Sequence, residues 1–198
     1  FGLASNGDAN FEIKDGSLSI NSKSFGFVSI VHDPWRPVPS DGGHLGQNPG
    51  FYNRNNIDKR LDVAVFQTHY LKENIHLSGI PTLHTAVSCD QESFDICVAL
   101  SLINEEEEII NQFTTGFLRI KKAIKDAEND YIIKLHPTNI SITKGSKLRL
   151  SLSASAWPAI GVNPGHSKIT SGNTSIEHRI TTLNFNLKKS IMKINPFF

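Results

Sequence analysis

Leu148-Arg149-Leu150-Ser151-Leu152-Ser153, running into Ala154-Ser155-Ala156-Trp157-Pro158, decides the fold class of this chain. Leucine stands at every second position, with Arg149, Ser151 and Ser153 between. Successive side chains of a strand point to opposite faces, so this spacing reads as a strand with one face on a core. A large aromatic followed by a proline, which has no N–H for a ladder, marks the point where the strand leaves its sheet. Core packing is the expected role of Trp157.

The same period recurs outward in both directions. Leu83, Thr85 and Val87 alternate with His84, Ala86 and Ser88; Leu183, Phe185 and Leu187 alternate with Thr182, Asn184 and Asn186; Tyr131, Ile133 and Leu135 form a third set. Phe94, Ile96, Val98, Leu100 and Leu102 share one face of a strand whose other face carries Cys97 and is expected to be half buried. Shorter strands are expected at Phe11 to Ile13, Phe25 to Val31, Leu61 to Gln67, Ile75 to Leu77 and Phe117 to Ile120. Asp15-Gly16, Ser78-Gly79, Lys144-Gly145 and Ser171-Gly172-Asn173 supply turns between them. Helical stripes are scarce, and many short strands with such punctuation predict an all-β sandwich or jelly roll.

Composition bounds the partners. The chain has 198 residues, is 38% hydrophobic and carries a formal charge of +1; a single domain of this length buries roughly 70% of its unfolded surface. Twenty basic and nineteen acidic residues are dispersed, leaving no basic stripe for nucleic acid and no polybasic anchor for a membrane. No apolar run reaches the ~20 residues of a membrane span, and the first residues lack a secretory pattern. These features, with only two cysteines, set the expectation of a cytoplasmic location. Met192 is the only methionine, which sets the further expectation of a cut from something longer. Cys89 and Cys97 match no zinc pattern and are expected to be reduced packing residues.

From His32 to Phe51 the alternation stops: Pro34, Pro37, Pro39, Gly42, Gly43, Gly46, Pro49 and Gly50 crowd a stretch that cannot form a ladder. This is read as a long loop laid against a partner surface and anchored by Trp35, Leu45, Phe51 and Tyr52. Glu105 to Glu108 read as a solvated connection, since neighbouring carboxylates repel and a run supplies no preorganised metal cage. A serine hydrolase needs a nucleophile on a strained turn beside a base and an orienting carboxylate, and the G-x-S-x-G form of that turn in α/β-hydrolases is absent; H-E-x-x-H, a P-loop and G-x-G-x-x-G are absent too. His32, His44, His69, His76, His84, His136, His166 and His178 are scattered singly, and no cofactor, metal or catalytic residue is assigned. Asn139-Ile140-Ser141 and Asn173-Thr174-Ser175 match a glycosylation acceptor pattern that arises easily by chance.

Several blocks together carry a resemblance: Arg60-Leu61-Asp62-Val63 leading to Ile75-His76-Leu77-Ser78-Gly79; Asp95 before its strand; Thr115-Gly116-Phe117-Leu118-Arg119; and Leu135-His136-Pro137-Thr138. Ile142 to Leu150, Ser153 to Pro158 and Asn163-Pro164-Gly165 continue the order, and His32-Asp33-Pro34 through Pro37-Val38-Pro39 to Gly42-Gly43 precedes it. In these blocks the chain resembles the C-terminal domain of the X-Pro dipeptidyl-peptidase and cocaine-esterase (CocE/NonD) hydrolase family. The resemblance implies a galactose-binding-like jelly roll occupying 1–198, with N-terminal strands and the proline loop in 1–59 and the main jelly roll in 60–198. It implies as partner an α/β-hydrolase catalytic domain, upstream in the same chain or on a separate one, that holds the Ser, Asp and His triad, and homo-oligomer contacts as a further role. The expected function is to stabilise that domain and shape substrate access; the alternative is a carbohydrate- or ligand-binding module. Trp35, Tyr52 and Trp157 are the candidate interface or ligand-contact residues. Glu105 to Glu108 in place of an Asp-Gly turn, and Trp35 and His44 in the proline loop, depart from the family pattern.

Overall fold

Fourteen strands account for the regular structure of the computed structural model, which describes residues 1–20, 23–43, 48–104, 109–194 and 196–197. In chain order they are β1 Gly2–Ala4, β2 Ser17–Ser19, β3 Phe27–His32, β4 Tyr52–Asn53, β5 Val63–Gln67, β6 Ile75–Gly79 and β7 Thr82–Cys89. The remainder are β8 Phe94–Ile103, β9 Ile110–Ile120, β10 Asn129–Lys134, β11 Thr138–Ile142, β12 Lys147–Ser153, β13 Thr181–Lys193 and β14 Pro196–Phe197. Eleven join one sheet in the order β10-β7-β13-β1-β2-β5-β12-β8-β9-β4, with β3 added to β13, while β11-β6-β14 form a small second sheet. All pairings are antiparallel apart from β2 on β5.

The large sheet curls until its two halves face each other. The free side of β9 is met by β4 at Gln112 and Asn111 and by a bridge from Gly116 to Leu135, just past β10. Gly116 is required there, because a Cβ would fall 2.7 Å from the Leu135 Cα and closer still to the Lys134 carbonyl oxygen. The fold is an all-β sandwich whose core takes Phe66, Leu150, Leu152, Val98 and Leu100 from one half and Leu83, Val87, Ile133, Phe185 and Ile30 from the other. Phe94 and Tyr131 meet between the halves edge to face, centroids 5.9 Å apart. An edge-to-face pair adds about 0.5–1.5 kcal/mol to its area burial.

Alternation locates most strands correctly, and three local expectations need correction. Phe11 to Ile13 is a turn: Phe11 and Glu12 both donate their N–H to the Asp8 carbonyl, and the Asp15 carboxylate collects the N–H groups of Asn6 and Asp8. These local acceptors outcompete a ladder, and Phe11 is left exposed. The strand expected at Phe117 to Ile120 begins at Ile110, because its first half pairs with β8 and β4 rather than ending in a loop. On β8 both faces are buried from Phe94 to Leu100, so Cys97 is fully enclosed; segments distant in sequence cover its outer face.

Candidate functional site

That covered outer face is organised in rows set by the strand register. Gln67, Arg149, Ser101 and Gln112 stand side by side across β5, β12, β8 and β9. One step along come Val65, Ser151, Ala99 and Thr115, then Val63, Ser153, Cys97 and Phe117, and finally Asp95 beside Arg119. The proline loop and residues 54–58 lie over the first rows, seating Val38 and Ile57 on Val63 and Val65.

Over the polar row, two arginines share one acid. Asp58, with no exposed side-chain surface, accepts from Arg54 Nε at 3.0 Å, Arg149 Nη1 at 3.3 Å and Ser151 Oγ at 2.9 Å. Gln112 Oε1 accepts from Arg54 at 2.6 Å and Gln67 Oε1 from Arg149 at 3.0 Å. Among the described residues the cluster holds one more cation than anion, and burial pulls the Arg149 guanidinium below its ordinary pKa against the pull of Asp58.

At the opposite end of the face, residues quoted above from three separate blocks converge. Asp95, 1% exposed, takes a two-pronged pair from Arg119 Nε and Nη2 at 2.8 and 2.7 Å and a third bond from Asn163 Nδ2 at 2.9 Å. Asn163 Oδ1 accepts from Ser93 Oγ and from the Gly165 N–H, both at 3.0 Å, and Arg119 also donates to the Gly161 carbonyl. The hydrogen bonds that Arg119 donates to Asp95 raise its own pKa. This cluster fastens residues 161–165 to the sandwich; it is the physical content of the Asp95, Arg119 and Asn163 blocks.

Trp157 does not pack in the core, as its strand-end position led one to expect. Its N–H donates to the Val38 carbonyl at 2.9 Å and its carbonyl accepts from Ser40 at 2.7 Å, which clamps it to the proline loop and leaves its side chain half exposed. Trp35 and Phe51 do not anchor that loop either: both are exposed, while His32, Pro34, Val38, Gly42 and Gly43 are buried. Leu45, His44, Gly46 and Glu105 to Glu108 lie outside the described residues. Tyr52 is half buried, packed on the Val38 cluster and hydrogen-bonded to Asp41, whose nearby charge raises the phenol pKa. Trp35 and Trp157, 122 positions apart in sequence, wall the same cleft; Tyr52 is not part of it.

Nothing among the described residues assembles a nucleophile with its base and acid. His76 Nδ1 and Ser141 Oγ stand 3.0 Å apart, but on the exposed face of the small sheet. Burial pushes the Cys89 thiol up to about 12 and the Cys97 thiol well above its ordinary value, so neither offers a thiolate at neutral pH. No group of three His, Cys, Asp or Glu side chains fit to hold a metal occurs among the described residues, and no described helix is long and apolar enough to cross a membrane.

His32 is 3% exposed, yet neither ring nitrogen has a partner among the described residues. Burial lowers its pKa, opposed by Asp95, Asp62 and Asp33 and reinforced by Arg60. The folded ring therefore stays neutral while the unfolded chain takes up a proton near pH ~6.5. Below that pH the unfolded state binds more protons, so stability falls on acidification. Urea midpoints at pH 7.5 and 5.5 are expected to show this decline, and His32→Phe is expected to shrink it; an equal decline in the variant would place a charged imidazole in the native fold.

Comparison with known proteins supplies the rest. The family model of the X-Pro dipeptidyl-peptidase C-terminal non-catalytic domain matches residues 14–190. No curated protein matches the chain in sequence. Among solved structures, an aminopeptidase from a marine sediment archaeon, Thaumarchaeota archaeon, superposes with TM-score 0.82 at 18% identity over 93% of this chain and 36% of that one. An α-amino acid ester hydrolase gives 0.75 at 18% identity, over 87% and 33% of the two chains. A CocE/NonD family hydrolase from Staphylococcus aureus gives 0.58 at 13%, over 89% and 34%. At these identities the likeness shows the fold, and the chain spans about a third of the length of the structures it matches. The all-β sandwich and the family match over most of its length lead to one assignment: this chain belongs to the X-Pro dipeptidyl-peptidase C-terminal non-catalytic domain family.

Proposed function

We infer that the domain works by packing on a hydrolase domain of the α/β type, steadying it and helping to shape the approach of substrate or the contacts between copies. The observation that carries this reading is the match to a non-catalytic C-terminal domain combined with coverage of only a third of the structures it resembles. Catalysis then belongs to the other part, which supplies the nucleophile on a strained G-x-S-x-G turn, on the same chain or a separate one.

The test starts from the native gene product. Ester and Gly-Pro peptide substrates are expected to be turned over by the native-length protein and to lose activity when the G-x-S-x-G serine is replaced. The 198-residue chain is expected to be inactive alone. Turnover by this chain at roughly 1 per second or more, the range of working enzymes, would overturn the reading. So would a hydrolase part that keeps the same melting temperature and activity after the domain is deleted.

A further inference from the structure

Trp35 and Trp157 are 57% and 51% exposed and wall a cleft of about 550 Å³ whose lining includes Pro34, Val162, Ile176 and His178. Ile176 is 95% exposed. Across the ridge where Pro39 bridges Trp157 lies a smaller hollow of about 60 Å³, bordered by the exposed ring of Phe117. The two linings meet where Pro39 of one bridges Trp157 of the other, and they draw on the proline loop, the turn after β12 and residues 172–178. The chain is 20% charged, yet among the described residues the lining of both hollows holds one Asp, Glu, Lys or Arg side chain, Arg54, already paired with buried Asp58.

Exposed indoles whose described cleft lining carries little charge are costly on a surface that stays wet, and such a composition is that of the centre of a protein interface, depleted in charge and enriched in Trp. The cleft is also held in place. Backbone bonds clamp Trp157 to Val38 and Ser40; the Trp35 N–H donates to Asp33 Oδ1 at 3.0 Å. The Trp35 ring lies 6.0 Å from that of His178, itself bonded to the Asn173 carbonyl at 2.9 Å. Side chains fixed before contact lose little freedom on docking.

We propose that the Trp35–Trp157 cleft and its extension to Phe117 are the docking surface for the hydrolase part, which presents an uncharged aliphatic or aromatic ridge to it. The occupant is chosen because about two thirds of each matched solved chain lies outside the region this domain matches, and the matched family is a C-terminal domain. A sugar is the competing occupant, since Asn173, Thr174, Ser175 and His178 line the cleft and offer partners to hydroxyls, although no carboxylate lines it among the described residues. The proposal deepens the reading above and rests on it.

Hydroxyl-radical footprinting of the native-length polypeptide, read by mass spectrometry and normalised for the intrinsic reactivity of each residue type, separates the two. Phe11 and Ile124, exposed elsewhere at 68% and 76%, are the controls. Trp35 and Trp157 are expected to be modified several-fold less than these controls. If the tryptophans react as freely as the controls while Phe27 and Val31 on β3 are shielded, the docking surface is wrong but docking stands. If none of these residues is shielded, docking itself fails. Shielding of the tryptophans that appears only on adding soluble oligosaccharides overturns the proposal in favour of a ligand cleft.

Discussion

Replacing Asp58 with Ala is expected to lower the unfolding free energy by about 3–5 kcal/mol, the cost of leaving a buried charge without its partner. Here the removal strands two guanidiniums, since Arg54 and Arg149 both bond to Asp58 and are 7% and 6% exposed at the side chain. Ser151 Oγ loses its acceptor as well. The imbalance makes a second, sharper expectation. Arg149→Met removes the surplus cation and leaves Arg54 and Asp58 as a balanced pair, so it is expected to cost less than Asp58→Ala although it deletes the larger side chain. Urea unfolding of the two variants checks the order, and the reverse order would mean that packing rather than charge governs this part of the sheet.

Asp95→Ala is expected to cost about 3 kcal/mol, towards the lower end for a broken buried pair, because the Arg119 side chain is 23% exposed and regains water. Its local signature is more telling than its size. Asn163 loses the carboxylate it donates to while still holding the Gly165 N–H, and Arg119 loses the partner that aims it at the Gly161 carbonyl. Amide exchange across residues 157–165 is therefore expected to accelerate in this variant beyond the global loss, with β7 and β13 following the global change alone. Uniform acceleration over the whole sandwich would show that Asp95 supports the core rather than fastening this segment.

What could be read in the sequence follows from the range of the interactions concerned. Leu148, Leu150 and Leu152, or Leu183, Phe185 and Leu187, announce their strands because pleating imposes a period of two on neighbours in sequence. Phe11 to Ile13 misleads because the competing acceptors, the Asp8 carbonyl and Asp15 carboxylate, give no periodic signal. The burial of Cys97 is invisible locally, since the cover comes from the proline loop and from residues after β12. Trp35, Tyr52 and Trp157 were singled out by type alone; bringing two of them together takes the bridge from Pro39 to Trp157, a contact between segments more than a hundred residues apart. His32 shows the same limit, for nothing near it in sequence announces a ring enclosed without partners.

The closing of the large sheet at β9 bears on how copies of this chain behave in a crowded solution. β9 runs for eleven residues, Ile110–Ile120, and its outward hydrogen-bonding edge is covered by the two residues of β4, by Arg54 and Asn55 at Ile110, and by Leu135 and His136 at Gly116 and Thr115. A long, unpaired edge is a template for strand addition by a neighbouring molecule. Loosening residues 50–53 would uncover such a template while the core stayed folded, so the first species to accumulate under mild stress should be strand-linked oligomers of nearly native molecules. The short β4 segment, at the margin of the sheet, is thus expected to act as a cover against strand addition.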